Sequence, residues 1–127
     1  MRIPDMNQLE YLHDATVSEI ALTYDGDSKF LRIVATCDDE CGYDEWSSKT
    51  VVVTLSNLVR ASGFVLGHVA GHETIQSFGE GASEEMLRSM HVLGNIGISA
   101  PKTFLRLTLQ SGSEIEIACG EVDVCTN

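Results

Sequence analysis

Along several stretches of the chain, apolar residues alternate with polar ones at the two-residue period of a β-strand. The alternation is clear at residues 20–24 and again at 30–36, and the sequence DGDSK between them is typical of a turn. Val17 is out of phase with Ile20, which predicts a bulge near residues 18–19. The pattern therefore predicts a β-hairpin whose first strand is irregular.

The same period recurs later in the chain. Residues 49–57, KTVVVTLSN, are rich in the β-branched side chains that a pleated surface favours. Residues 103–110 and 114–124 flank the turn sequence SGS, and they predict a second hairpin with one buried face. Gly120 interrupts the last of these stretches, which predicts a second bulge.

A helical spacing of apolar residues replaces the strand period just before the second hairpin. Residues 84–92 carry this spacing, and Ser83 before them is a suitable N-cap because its hydroxyl can accept a first-turn N–H. Gly94 is positioned to end the helix in the left-handed conformation. A short strand is predicted ahead of the helix, at residues 74–78.

Together these elements predict a mainly β, α+β fold in a single domain spanning residues 1–127. We expect one antiparallel sheet, or two packed sheets, built from hairpins, with one short helix near residues 83–92. The 127 residues are sufficient to bury a sizeable core.

Charge narrows the range of partners. The formal net charge is −11, from 19 acidic and 8 basic residues, so the surface repels nucleic-acid phosphates and anionic lipids. A basic protein partner is favoured instead, and the alternative is that the charge only keeps the protein soluble. The first residues show no apolar signal region, and no apolar run approaches the ~20 residues of a membrane span. We therefore expect a soluble, cytoplasmic protein, and a homo-oligomer is compatible with the sequence.

The adjacent residues His13 and Asp14 are the first candidate for chemistry. Helical metal-dependent phosphohydrolases also carry an adjacent His-Asp, but they need further ligands on several helices, which this strand-rich chain does not supply. The structural interpretation is favoured: Asp14 accepts N–H bonds from the residues that follow, and His13 bonds a backbone carbonyl.

Metal sites have weaker support. His68 and His72 have the spacing of two ligands on one helical face, but Gly67 and Gly71 disfavour a helix there. The four cysteines do not have the spacing of a typical zinc knuckle, and no secretory context favours disulfides. They are Cys37, Cys41, Cys119 and Cys125.

The acidic stretch CDDECGYDEW, residues 37–46, is the best candidate for a binding surface. It lacks the alternating pattern and central glycine of a calcium loop. Exposed aromatic residues among carboxylates suit a basic protein partner, and the alternative is that Trp46 covers a sheet edge. The predicted partner-binding residues are Asp38, Asp39, Glu40, Tyr43, Asp44 and Trp46.

The order of several short motifs resembles a known group of proteins. The chain has an LHDA start, an S-x-I step, a V-x-L-x-N-L-V strand, an L-x-L-x-L strand and a V-x-V end. These motifs begin at Leu12, Ser18, Val53, Leu105 and Val122. In this order they resemble small bacterial β-rich proteins of unknown function that are similar to the polymorphic-toxin immunity family numbered fifty. The resemblance implies a β-rich domain that binds another protein, and it carries over no catalytic residues.

The sequence therefore predicts a non-enzymatic protein-binding module, with toxin immunity as one such role. We expect no cofactor, since the chain has no phosphate-binding loop. It also has no Gly-x-Ser-x-Gly elbow to present a serine nucleophile. One alternative is a metal-binding protein or metal-dependent enzyme that uses its histidines and cysteines. Another is a small-ligand-binding β-domain with a pocket between sheet and helix, lined by Phe78, Met86 and Met90.

Overall fold

The computed structural model describes residues 6–26, 28–63, 67–68, 73–97 and 101–126. A first 3-10 helix, η1, spans Met6–Leu12, and a second, η2, spans Asp44–Trp46. The α-helix α1 spans Glu84–Asn95. The strands are β1 (Thr16–Asp25), β2 (Ser28–Thr36), β3 (Thr50–Ser56), β4 (Arg60–Ser62), β5 (Gly67–His68), β6 (Ile75–Glu80), β7 (Thr103–Leu109), β8 (Glu114–Cys119) and β9 (Glu121–Thr126).

These strands form two antiparallel sheets, which confirms the predicted mainly β, α+β fold. The first sheet has the order β5-β1-β2-β3-β9, and the second has the order β4-β8-β7-β6. Both predicted hairpins form, since β1 pairs with β2 and β7 pairs with β8. The register of β1 shifts between Val17 and Glu19, so the predicted bulge is confirmed as well.

The core lies between the sheets and is filled by the alternating apolar residues of their strands. Leu31, Ile33 and Ala35 of β2 are buried. Every second residue of β7 is buried in the same cluster. Leu9 and Leu12 of η1 belong to this cluster too, so the N-terminal helix contributes to the core. The strand period of the sequence therefore does predict which side chains are buried.

Two strands pass from one sheet to the other at a shared corner. Residues 57–59 separate β3 from β4, with Asn57 at a φ of 54°, and Gly120 separates β8 from β9. The N–H of Gly120 donates to the Ser56 carbonyl at 3.0 Å, and the N–H of Val59 donates to the Ala118 carbonyl at 2.8 Å. Gly120 therefore marks a change of sheet, and the prediction of a bulge inside one strand is wrong. Strand β4 lies in the second sheet, although β3, which precedes it in the chain, lies in the first.

The sheets are also joined on a second side, where β1 meets β6. Thr16 and Thr74 form an antiparallel bridge. The N–H of Val17 donates to the Glu73 carbonyl at 2.7 Å, and the N–H of Ile75 donates to the Ala15 carbonyl at 2.8 Å. This seam fixes the start of β1 against β6, next to η1.

Helix α1 packs on the outer face of the second sheet. Its buried Met86 and Met90 contact Ala118 of β8, in a cluster separate from the main core. The Ser83 side chain accepts the Met86 N–H at 3.1 Å, which confirms the predicted N-cap. The helix continues through Gly94 to Asn95, so the predicted stop at Gly94 is wrong; Gly97 has the positive φ, 87°.

This packing overturns the predicted pocket between sheet and helix. Phe78 is buried in the main core, whereas Met86 and Met90 lie in the cluster under α1. Since the sheet separates the two clusters, these residues do not line a common cavity.

The corner generates a prediction about stability. A Cβ at residue 120 would lie 2.9 Å from the Asn57 Cβ, closer than real Cβ atoms approach. We expect Gly120→Ala to lower the free energy of unfolding by about 1–3 kcal/mol, as overpacking does. Urea denaturation measures this loss.

The control is Asn57→Gly, which removes the three atoms that would lie nearest to the new Cβ. At a positive φ a glycine is accommodated without strain, so this variant alone should change stability little. The double variant should recover most of the loss, and additive effects of the two substitutions would contradict the steric explanation.

Buried Cys119 generates a second prediction. Burial raises the pKa of the Cys119 thiol to about 11, from an ordinary value of 9.0. Below pH 9 the thiol is protonated in both the folded and the unfolded protein, so stability does not depend on its ionisation. As the pH rises from 9 toward 11, the thiol ionises only in the unfolded protein, and the free energy of unfolding falls. Between pH 8 and 10.5 the loss amounts to about 2 kcal/mol.

The measurement is the free energy of unfolding of the wild type and of Cys119→Ala at both pH values. The variant should lose less stability between them than the wild type, because one buried ionisation has been removed. Equal losses in the two proteins would show that Cys119 does not contribute to the pH dependence.

Candidate functional site

The acidic loop, defined here as residues 38–45, connects β2 to β3 through the start of η2. Five of its residues carry carboxylates, and each of these five is exposed. They are Asp38, Asp39, Glu40, Asp44 and Glu45. The loop therefore places a cluster of negative charge at one end of the first sheet.

Hydrogen bonds hold this loop in one conformation. The N–H of Glu40 donates to Asp38 Oδ1 at 2.9 Å, which forms a local turn. The N–H of Ser48 donates to the Asp38 carbonyl at 2.9 Å, and the Ser47 hydroxyl donates to the Asp39 carbonyl at 3.0 Å. The Asp39 and Glu40 carboxylates are thus carried on a positioned backbone.

Aromatic contacts connect the acidic loop to η1. The ring of Tyr43 stacks on Tyr11, with centroids 5.6 Å apart, and meets Trp46 edge-on at 5.0 Å. The Tyr43 hydroxyl donates to Glu45 Oε2 at 2.8 Å. This hydrogen bond is the main reason that the pKa of Tyr43 is raised above its ordinary value.

Trp46 does not have the exposure that the sequence predicts. Its side chain is 1% exposed and belongs to the main core, so the prediction of an exposed contact residue is wrong. Trp46 instead packs among the buried residues of the main core. Tyr11, which is 43% exposed, takes the place of the exposed aromatic residue beside the loop. Tyr43 itself is half-buried.

Two cysteines lie at the base of the acidic loop. Cys37 is buried in the main core, and half-buried Cys41 packs against the same cluster. The Cys41 Sγ donates to the Tyr11 carbonyl at 3.4 Å, which adds another contact between loop and η1. The pKa of Cys37 is raised to about 12, mainly by burial and to a smaller extent by the neighbouring Cys41 thiol. Cys37 and Cys41 are free thiols, as are Cys119 and Cys125.

His13 lies on the other side of η1, at a groove of about 500 Å³. Its Nδ1 donates to the carbonyl of Gln76 in β6, because a carbonyl can only accept. The expected bond from His13 to a backbone carbonyl is therefore confirmed. The groove lies between η1 and the strands β6 and β7, and it is lined by Glu10, His13, Gln76, Ser77, Phe78, Gly79, Glu80 and Arg106.

Asp14 acts through its backbone and not as the predicted side-chain cap. Its φ is 70°, and its N–H donates to the Ile75 carbonyl at 2.9 Å. The carboxylate contacts the neighbouring imidazole instead, with Oδ2 3.5 Å from His13 Nε2. Asp14 is therefore the left-handed residue that turns the chain from η1 into β1.

The predicted metal ligands are only partly covered by the structure. The backbone of His68 pairs with Glu19, while its side chain, and His72 as a whole, lie outside the described residues. Within the described part of the chain, no three side chains of histidine, cysteine, aspartate or glutamate form a group that could hold a metal ion.

Comparison with known proteins adds no relative. No protein-family model, no curated protein and no solved structure matches the chain. The resemblance to immunity proteins therefore stays a prediction. Among the described residues, no helix has the length and apolar character required to cross a membrane.

The turn at His13 and Asp14 generates a prediction that separates backbone from side-chain roles. Asp14→Ala should lower the free energy of unfolding by about 1 kcal/mol, because alanine adopts a positive φ at a cost. Asp14→Gly should stay close to the wild type, since glycine has no such cost. Thermal or urea denaturation distinguishes the two, and an equal loss in both variants would support a side-chain cap.

His13→Ala removes the hydrogen bond to the Gln76 carbonyl. We expect it to lower the free energy of unfolding by about 1 kcal/mol, measured in the same way.

Proposed function

We propose that this protein is a non-enzymatic module that binds a basic protein through the acidic loop and the adjoining face of Tyr11. The observation that carries the proposal is the combination of five exposed carboxylates with a backbone that is already held by hydrogen bonds. A partner that binds such a surface does not have to order it first, and this lowers the entropic cost of association.

Charge supports the same choice of partner. The formal net charge of −11 attracts a cationic protein from a distance and speeds the encounter. Individual exposed ion pairs add little to affinity, roughly 0–1 kcal/mol each. The contribution of the loop must therefore come from several carboxylates acting together, and from apolar contact with the tyrosine rings.

Tyr11 and Tyr43 provide that apolar contact. Tyrosine is enriched at the centres of protein interfaces because its ring buries a large area while its hydroxyl keeps a hydrogen bond. Tyr11 is 43% exposed and lies beside the charged loop, so its ring can be covered by a partner. A charged rim around an aromatic centre is the usual anatomy of a protein interface.

The resemblance to immunity proteins supports a more specific version of the proposal. Under it, the partner is a cationic toxin, such as a nuclease whose own surface binds phosphates. An acidic protein with a positioned carboxylate cluster can occupy such a surface in place of nucleic acid.

The test uses charge reversal on two surfaces. Asp39→Lys/Glu40→Lys changes the acidic loop, and Asp25→Lys/Glu84→Lys changes exposed sites elsewhere. Each pair moves the formal net charge from −11 to −7, because each substitution adds two positive units. Basic proteins captured by the wild type from a lysate of the native organism are identified, purified and titrated against all three chains.

We expect the loop variant to weaken binding about tenfold or more, which corresponds to 1.4 kcal/mol. The matched control should weaken it much less, because it changes only the long-range attraction. Affinity should also fall as salt is raised from low to high concentration. Equal weakening by both pairs would show that net charge, and not the acidic loop, determines binding.

A further inference from the structure

We propose that Cys37 and Cys41 are a modification site, at which exchange with a small-molecule disulfide forms a reversible intrachain disulfide. This disulfide changes how the acidic loop is held. The inferred effect on binding rests on the function proposed above, whereas formation of the disulfide does not.

The two thiols are brought together by the turn at the start of the loop. Cys37 continues the inner face of the first sheet, because Leu31, Ile33 and Ala35 precede it at two-residue spacing. The turn closed by the Glu40 N–H and Asp38 Oδ1 then returns the chain, so that Cys41 packs against the same core cluster. Cys37 belongs to that cluster, and the neighbouring Cys41 thiol contributes to raising its pKa.

The two cysteines differ in access. Cys37 is 3% exposed, while Cys41 is half-buried and reaches solvent. A small disulfide therefore meets Cys41 first. Cys37 then acts as the resolving thiol, and its buried, protonated state makes this second step slow at neutral pH.

The chemistry is a pair of thiol–disulfide exchanges. The Cys41 thiol loses its proton to solvent, and its sulfur attacks one sulfur of the small disulfide, which releases the first small thiol. The Cys37 sulfur then attacks the Cys41 sulfur of the mixed disulfide, the bond from Cys41 to the small thiol breaks, and the proton given up by Cys37 balances the one taken up by the departing thiolate, which leaves as the second small thiol. Two protein thiols are oxidised, and one small disulfide is reduced to two thiols.

Oxidation removes a contact between the acidic loop and η1. In the reduced protein the Cys41 S–H donates to the Tyr11 carbonyl, and a disulfide sulfur has no proton to donate. Gly42, the next residue, packs so closely on Tyr11 that a Cβ there would lie 3.1 Å from the ring. Movement of Cys41 toward Cys37 therefore also disturbs the stack of Tyr11 on Tyr43.

The other two cysteines allow a clean experiment. Cys119 is fully buried in the core. Cys125 is exposed and pairs with Val52, so it can carry a small thiol as a mixed disulfide. The full-length Cys125→Ser protein removes that reaction and serves as the starting chain.

The experiment treats this chain with oxidised glutathione and records the intact mass and the near-ultraviolet circular dichroism. We expect the loss of two hydrogens, a peptide joining Cys37 to Cys41, a changed tyrosine signal, and recovery of all three readouts with dithiothreitol. In the same background, Cys37→Ser should stop at the mixed disulfide on Cys41. Cys41→Ser should react slowly or not at all.

Binding is measured separately, with a synthetic lysine-rich peptide as the probe. The oxidised chain should bind it about fivefold more weakly, the equivalent of one lost hydrogen bond. A chain that keeps both thiols or retains glutathione overturns the proposal, and so does a disulfide that leaves the dichroism unchanged. If the peptide binds neither redox form, the proposed function fails, while the mass and the dichroism still decide the modification site.

Discussion

The close approach of Gly120 to Asn57 is the constraint on which the two-sheet architecture depends. At this point β3 and β8 both leave their sheets and continue as β4 and β9 in the other one. The two crossing segments can touch because residue 120 has no side chain and residue 57 adopts a positive φ. Each of the two crossing segments therefore contributes one strand to each sheet. The apolar faces of the two sheets then enclose a common core.

Local pattern predicted much of this fold. The period of two identified both hairpins, the buried residues of β2 and β7, and the bulge after Val17, because those features depend on neighbours along the chain. The change of sheet could not be predicted in this way. The alternation changes phase at Gly120, as it would at a bulge, and the reason for that glycine is Asn57, more than sixty residues earlier. Gly94 likewise has the composition of a helix end, but Leu93 before it still packs on the cluster under α1, and the helix continues to Asn95.

The candidate site was predictable to a smaller extent. The exposure of its carboxylates follows from their charge, which keeps unpaired acids in water. The burial of Trp46 and the position of Tyr11 could not be predicted from local sequence. Both result from η1 packing beside η2, and the two helices are about thirty residues apart in the chain. The backbone conformation of Asp14 could not be predicted from the sequence for a different reason. Aspartate serves equally as a side-chain cap and as a left-handed residue, and only the backbone angle distinguishes the two.

The end of strand β8, residues 117–119, is buried on both faces, and this has a consequence for the dynamics of the molecule. Ile117 and Cys119 face the main core, while Ala118 faces α1 in a separate apolar cluster. Because the clusters do not share residues, α1 can detach while the core between the sheets stays closed. The protein should therefore open in stages, with the amide protons of α1 exchanging with solvent well before those of β8.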